Sequence, residues 1–338
     1  MAGSADAAET VARLADLAAD RVGSLLPPGT RCALVGFPDH ANVGDAAIWA
    51  GERALLERLG ARVTYVSDER RFDPAALRAR VGEGPVFLHG GGNLGDLWLH
   101  HQVFREKALQ ALAGSPVVQL PQSIHFGERE NLARARRVFA SHPRLTLLLR
   151  DQSSLELARN EFAEATSVLC PDMALALGLL SRSSAPGHDV VIVGRRDHER
   201  APGSGAASIQ GLGPVFDWGS EGLPAAGLRR GLRLLLRPTA VFHLRAHVWD
   251  ALARRQVAAG VRLLSRGRVV LTDRLHGHIL ALQLRIPHVV IDNSYGKLSS
   301  FLEAWTGGVS LVRRAEDPAG ARVQARRLLE TARDRAGH

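Results

Sequence analysis

One pattern constrains this chain more than any other: short apolar runs alternate with stretches of helical spacing. Cys32 to Phe37, Val63 to Val66, Pro85 to His89, Val117 to Leu120 and Leu145 to Leu149 read as strands. Asp45 to Leu59, Pro74 to Val81, Val103 to Ala113, Asn131 to Ala140 and Leu155 to Phe162 read as helices. A strand apolar on both faces needs cover on both, which a parallel sheet with crossover helices supplies. The first half therefore predicts a doubly wound α/β fold with ligands outside the carboxyl ends of its strands. The pattern pauses at Ser181 to Gly187, polar and Pro-containing, and restarts with strands at Val190 to Val193, Val269 to Leu271 and Val289 to Ile291. The expectation is two Rossmann-like domains, 1–180 and 188–338, facing each other across a cleft. Between them, Ala201 to Gly213 is Gly/Ser/Ala-rich and reads as a mobile loop.

Composition narrows the class. With 338 residues and 46% of them hydrophobic, the chain has room for two cores. Met1 to Arg21 mixes Asp6, Glu9, Asp16 and Asp20 with apolar residues at helical spacing, unlike a secretory leader. No apolar run is long enough to span a bilayer, so a cytoplasmic protein is expected. Cys32 and Cys170 each lie in an apolar stretch, which predicts buried reduced thiols rather than a disulfide or zinc site. The net charge of +9 points to anionic substrates or partners. Aromatic residues make up only 5% and no RNP-type or recognition-helix motif is visible, which argues against nucleic acid. Arginine dominates the positive charge, and Lys107 and Lys297 are the only lysines. Gly227 to Pro238 mixes leucine with arginine, as either a domain helix or a basic amphipathic segment on the inner membrane face.

Six segments carry chemistry. Gly36 to Gly51 leaves a strand through His40 and Asn42 and enters a helix at Gly44–Asp45. Asp45 suits an N-cap or first-turn position, and the helix start offers N–H groups to an anion. Phe87 to Trp98 runs from a strand into Gly90, Gly91, Gly92 and Asn93, which predicts a tight turn of the anion-binding kind and fits neither a Rossmann fingerprint nor a P-loop. Leu120 to Glu128 puts Gln122, Ser123 and His125 after the fourth strand. Leu147 to Ser154 delivers Arg150 at a strand end, where it would clamp a carboxylate or phosphate or else pair with Asp151 at the surface. Val269 to Leu282 carries Arg274, His276 and His278. The two histidines are two apart and cannot share a helix face, which excludes a helical His–His metal pair. Ile286 to Phe301 ends on a polar loop with Lys297. Arg274, His276 and Lys297 together suit a ligand bearing both carboxylate and phosphate.

In their order, HANVGDAAIW, HGGGNLGDLW, LPQSIHF, LLLRDQSS, TDRLHGHI and NSYGKLSSF resemble the blocks of polysaccharide pyruvyl transferases, most of all the bacterial exopolysaccharide branch. The resemblance runs from about Arg31 to Val312 and is weakest between Arg195 and Arg268. It implies a fold like the GT-B glycosyltransferases, phosphoenolpyruvate as donor, no cofactor, and a cyclic ketal built on a sugar diol. It further implies that Arg150 binds the donor, that His276 is catalytic, and that Lys297 and the acidic Asp45 belong to the site; on the reading of the residues themselves, Arg274 joins Arg150 and Lys297 in holding the carboxylate and phosphate. Asn42, Gly44, Gly91, Gly92 and Asn93 fall in the blocks expected to line the substrate. The cations would neutralise the leaving phosphate, so no metal is expected. Acceptor residues cannot be carried over. A nucleotide-sugar glycosyltransferase and a non-catalytic sugar-binding protein are the competing readings.

Overall fold

The computed structural model describes residues 2–194, 206, 209, 211–218, 242–292 and 297–334, with the side chains of 2–5, 242, 243, 297 and 332–334 outside that description. Helix α1 (Ala2–Gly23) leads into the first sheet. That sheet contains β1 (Arg31–Val35), β2 (Arg62–Ser67), β3 (Val86–Leu88), β4 (Gly91–Gly95), β5 (Val117–His125), β6 (Leu145–Leu149) and β7 (Thr166–Leu169). The connecting helices are α2 (Val43–Arg58), α3 (Pro74–Val81), α4 (Leu99–Ala111), α5 (Arg129–Ala140) and α6 (Gln152–Glu161). The second sheet comprises β8 (His188–Val193), β9 (Val215–Phe216), β10 (Gly267–Thr272), β11 (His288–Ile291) and β12 (Val312–Ala315). Its helices are α7 (Phe242–Ser265), α8 (Leu275–Gln283), α9 (Lys297–Phe301) and α10 (Pro318–Asp334).

All strand pairs are parallel, as the apolar runs require. The first sheet runs β2-β1-β3-β5-β6-β7 with β4 beside β5, and the second β12-β11-β10-β8-β9. In the first sheet the order reverses between β1 and β3, and in the second between β8 and β10. Reversal sends the two following loops apart and opens a crevice at the strand ends, where ligands of such sheets bind.

Two departures from the sequence reading matter. The triple glycine is no turn: Gly91–Gly95 is extended and pairs with a β5 longer than expected. Its backbone runs so close to its neighbours that a Cβ on Gly95 would lie 1.8 Å from the carbonyl oxygen of His125. The ladder of β5 shifts register around Pro121, which has no N–H to donate. The apolar core is also continuous rather than split. Val191 and Val270 of the second sheet and Leu280 of α8 cluster with residues of the first sheet, and a smaller cluster lies on the other face of the second sheet. The reason is α2 against α7: Phe37 stacks on Trp249 at 4.5 Å, and Asp250 accepts from Trp49 Nε1 at 2.9 Å and from Arg53 Nε at 3.1 Å. The Gly/Ser/Ala-rich 201–213 lies largely outside the described residues, and Gly227 to Pro238 wholly so.

Candidate functional site

The loop after β1 ends at Asn42, whose side chain accepts from the Gly44 N–H at 2.9 Å and caps α2. Asp45 therefore sits in the first turn, free of capping duty. His40 Nε2 lies 3.5 Å from its carboxylate. Burial works against the charge on Asp45, but His40, His276, His89 and His101 outweigh it and hold its pKa below the ordinary carboxylate value.

The centre of the site is a residue the sequence reading missed. Strand β7 leads through Cys170–Pro171 to Asp172, fully buried at the start of a 3-10 turn. Asp172 Oδ2 lies 2.8 Å from Arg150 Nη1 and 3.4 Å from His276 Nε2. Arg150 comes from the end of β6 and His276 from the start of α8, so one carboxylate joins the two sheets. Burial alone would raise the pKa of Asp172. His276 foremost, then Arg150 and the Ala174 N–H, push it well below the usual range. Arg150 is no surface partner of Asp151. It is buried, donates from Nε to Ser123 Oγ at 2.8 Å, and its carbonyl accepts from Trp305 Nε1 at 2.7 Å. Asp151 instead caps α6. The signal for Asp172 lies in SVLCPDMAL, a short run ending in Pro-Asp, but it lacks the long apolar block that marks the other strands.

Glycines make the approach of these groups possible. A Cβ on Gly44 would lie 2.4 Å from His276 Nδ1, and one on Gly92 would lie 2.7 Å from an Arg150 Nη2. The expectation that Gly44 admits a ligand to the backbone gives way to a closer occupant, the His276 ring. Gly91 has a φ of +131°, unsuited to a side chain, and faces Asp45 Oδ1. Asn93 is engaged internally: its Oδ1 accepts from Gln122 Nε2 and Arg105 Nη2, each at 2.9 Å.

At the β1/β3 crevice lies a cavity of about 280 Å³, lined among others by Phe37, His40, Asp45, Glu69, His89 and Arg105. His89 ends β3. Its Nδ1 is 2.8 Å from Glu52 Oε2, while Glu52 Oε1 accepts from the Gly90 N–H at 2.8 Å. Burial disfavours a charged His89, but Glu52 foremost, with Asp45 and Asp172 beyond, raises its pKa overall. Arg105 is buried, which draws its pKa down to about 10, and donates from Nε to Gln119 Oε1 at 2.7 Å. On the cavity rim, Glu69, His100 and His101 offer ligand atoms within 4.8 Å of one another, the grouping among the described residues able to share a cation.

Of the expected cations in the second half, Arg274 is nearly buried and pairs with Asp217, and Lys297 opens α9 with its side chain outside the described residues. His278 turns away from the site. Its Nδ1 meets His288 Nε2 at 2.7 Å and its Nε2 meets Thr306 Oγ1 at 2.9 Å, while His288 Nδ1 donates to the Ile286 carbonyl at 2.7 Å. Both rings are fully buried, and that burial lowers both pKa values, for His288 to about 4. The opposite-face expectation for His276 and His278 therefore holds.

A family model described as "Polysaccharide pyruvyl transferase" matches residues 42–295. Pyruvyl transferase 1 of Schizosaccharomyces pombe is 34% identical over 293 residues, spanning 83% of this chain and 71% of that protein. EpsO of Bacillus subtilis, provisionally named a pyruvyl transferase, is 31% identical over 302 residues, 86% of this chain and 89% of its own. General stress protein 30 of B. subtilis is 24% identical over 299 residues, 86% of this chain and 82% of that protein. Among solved structures, KP1_0663 of Klebsiella pneumoniae, functionally uncharacterized, superposes with a TM-score of 0.56 at 18% identity over 88% of this chain and 96% of its own, a likeness of fold alone.

Proposed function

Because the chain belongs to the polysaccharide pyruvyl transferase family, we propose that it moves a pyruvyl group from phosphoenolpyruvate onto two hydroxyls of a sugar in a cell-surface glycan precursor, closing a cyclic ketal. The observation that carries the reading is the convergence of Arg150 and His276 on Asp172. It brings a fixed guanidinium and an imidazole together in a water-poor setting, which suits a small dianion whose charge must be held while a proton is delivered.

The reaction needs C3 of the enol protonated while a sugar hydroxyl attacks C2, then phosphate departure and attack by a second hydroxyl. His276 delivers the C3 proton. Arg150, with Arg274 and Lys297 from the second half, holds the carboxylate and phosphate and stabilises the charge that develops on the leaving oxygen. Asp172 orients the His276 ring and Arg150 at once. Asp45, held ionised by its histidines, accepts a hydrogen bond from a sugar hydroxyl but retains a proton poorly. In this reading residues 1–180 and 188–338 act as two domains of GT-B type and the donor lies between them. The enzyme works in the cytoplasm, at the inner membrane face when the acceptor is lipid-linked, and needs no cofactor.

The test is phosphate release from phosphoenolpyruvate in the presence of nucleotide-linked or lipid-linked sugars, with the ketal identified by mass. Phosphoenolpyruvate should raise the thermal midpoint by mass action. Stabilisation by a nucleotide sugar, with none by phosphoenolpyruvate, would replace this reading with a glycosyltransferase.

A further inference from the structure

Addition of a hydroxyl to the enol leaves one proton without a destination, since His276 donates in that step and Asp45 is a weak base. We propose that His89, held by Glu52, is a second acid–base histidine of this site and presents Nε2 to the acceptor hydroxyl. The inference rests on the pyruvyl-transfer reading above.

Three observations carry it. First, the ring is fixed on one side only: Nδ1 meets Glu52 Oε2 at 2.8 Å, and Glu52 is itself fully buried and held by the Gly90 N–H. A carboxylate that orients an imidazole through one nitrogen leaves the other poised for proton transfer, the logic of a base held by a third group. Second, Nε2 is buried and has no hydrogen-bond partner among the described residues. A buried polar atom left without a partner is costly, and an incoming hydroxyl would relieve that cost. Third, His89 lines the cavity at the β1/β3 crevice together with Asp45, whose pKa is lowered by His276 and His89 alike. The charged groups acting on His89 are Glu52 and Asp45 from α2 and Asp172 from the segment after β7. All three are acidic.

The proton balance closes over two steps. In the first, His276 in its protonated form gives its proton to C3 of the enol. The sugar oxygen bonds to C2, and its proton passes to neutral His89. In the second, the C2–O bond to phosphate breaks with its electron pair going to phosphate oxygen, and His89 returns its proton to that oxygen. The second hydroxyl bonds to C2 and loses its proton to His276. Both histidines end as they began, and of the two hydroxyl protons the equivalent of one resides on C3 and one on phosphate. Glu52 stabilises the imidazolium formed midway.

The experiment compares wild type with His89→Gln and Glu52→Gln. It follows phosphate release against pH, phosphoenolpyruvate binding by the shift in thermal midpoint, and folding by circular dichroism. His89→Gln should lower kcat by about two to four orders of magnitude while binding of phosphoenolpyruvate persists. In Glu52→Gln the loss of the negative neighbour should lower the pKa of His89, so the acid limb of the kcat/KM profile moves to lower pH and the limiting rate falls. A folded His89→Gln with kcat within about twofold of wild type, or an acid limb unmoved in Glu52→Gln, overturns the proposal. If His89→Gln does not fold, the Glu52→Gln profile decides. Absence of phosphoenolpyruvate turnover in wild type would instead overturn the function proposed above, so the two failures are distinguishable.

Discussion

The carboxyl ends of the two sheets are built differently. At the first, acids and amides interlock: Gln119 Nε2 donates to the carbonyls of Leu88, His89 and Leu120, and Glu52 and Asp172 are wholly buried. At the end of β10, buried Thr272 and Asp273 accept from the backbone N–H groups of Arg274 and Ala206, and Arg274 and His276 follow, with the apolar helix α8 behind them. The first end holds buried carboxylates together with Arg150, and the second brings His276 to one of them, Asp172. The contrast teaches that His276, the proposed acid, owes its setting to the opposite sheet through Asp172, and owes to its own helix only its position.

The largest effect should come from breaking that pairing at its histidine. His276→Ala should lower kcat by about two to four orders of magnitude in phosphate-release assays, with circular dichroism unchanged. His278, two residues on, should behave in the opposite way. Asp172→Asn removes the carboxylate that neutralises buried Arg150, and breaking a buried pair in this way costs about 3–5 kcal/mol, readable by urea denaturation. His278→Ala leaves His288 and Thr306 short of a partner and opens a void, at about 2–4 kcal/mol, while the folded fraction should keep its kcat. Gly44→Ala drives a Cβ into the His276 ring and should lower kcat by about a hundredfold, as small misplacements of a reacting group do, with the thermal midpoint lowered by the overpacking.

The smallest effect is a graded acid sensitivity. His278 and His288 have depressed pKa values in the fold, so below the unfolded value of about 6.5 the unfolded chain binds protons more readily. Stability should fall as pH drops from there toward about 4, the value for His288. Asp172, also depressed, adds its own loss below about 4, where unfolded carboxylates protonate. Thermal midpoints measured across that range check the sign. A midpoint that rises on acidification would remove the neutral histidine pair from the account.

Much of this was legible in the sequence because parallel strands announce themselves as apolar blocks. Leu145–Leu149 and Pro74–Val81 have the bounds their spacing predicts. Arg150 and His276 stood out because each follows such a block closely, and Asp45 because it opens a helix after a Gly/Asn/His-containing loop. Asp172 was not, since β7 has only four residues and none of them is fully buried. Glu52 was hidden for another reason: on a helix of ordinary composition, nothing local separates a buried carboxylate from a solvated one. The Gly91–Gly95 strand escaped because glycine favours turns, and only the neighbouring backbone of β5 makes extension the better choice here.

The continuous core has a thermodynamic consequence. Two independently cored halves would melt in separate steps. Here Trp49, Trp249 and Phe37 lie in the same apolar body as Val270 and Leu280. Loss of either sheet would strip apolar cover from the other, so heating should give a single cooperative transition with equal calorimetric and van't Hoff enthalpies. An anion bound at either strand end would then protect the whole chain from unfolding, including the sheet it does not touch.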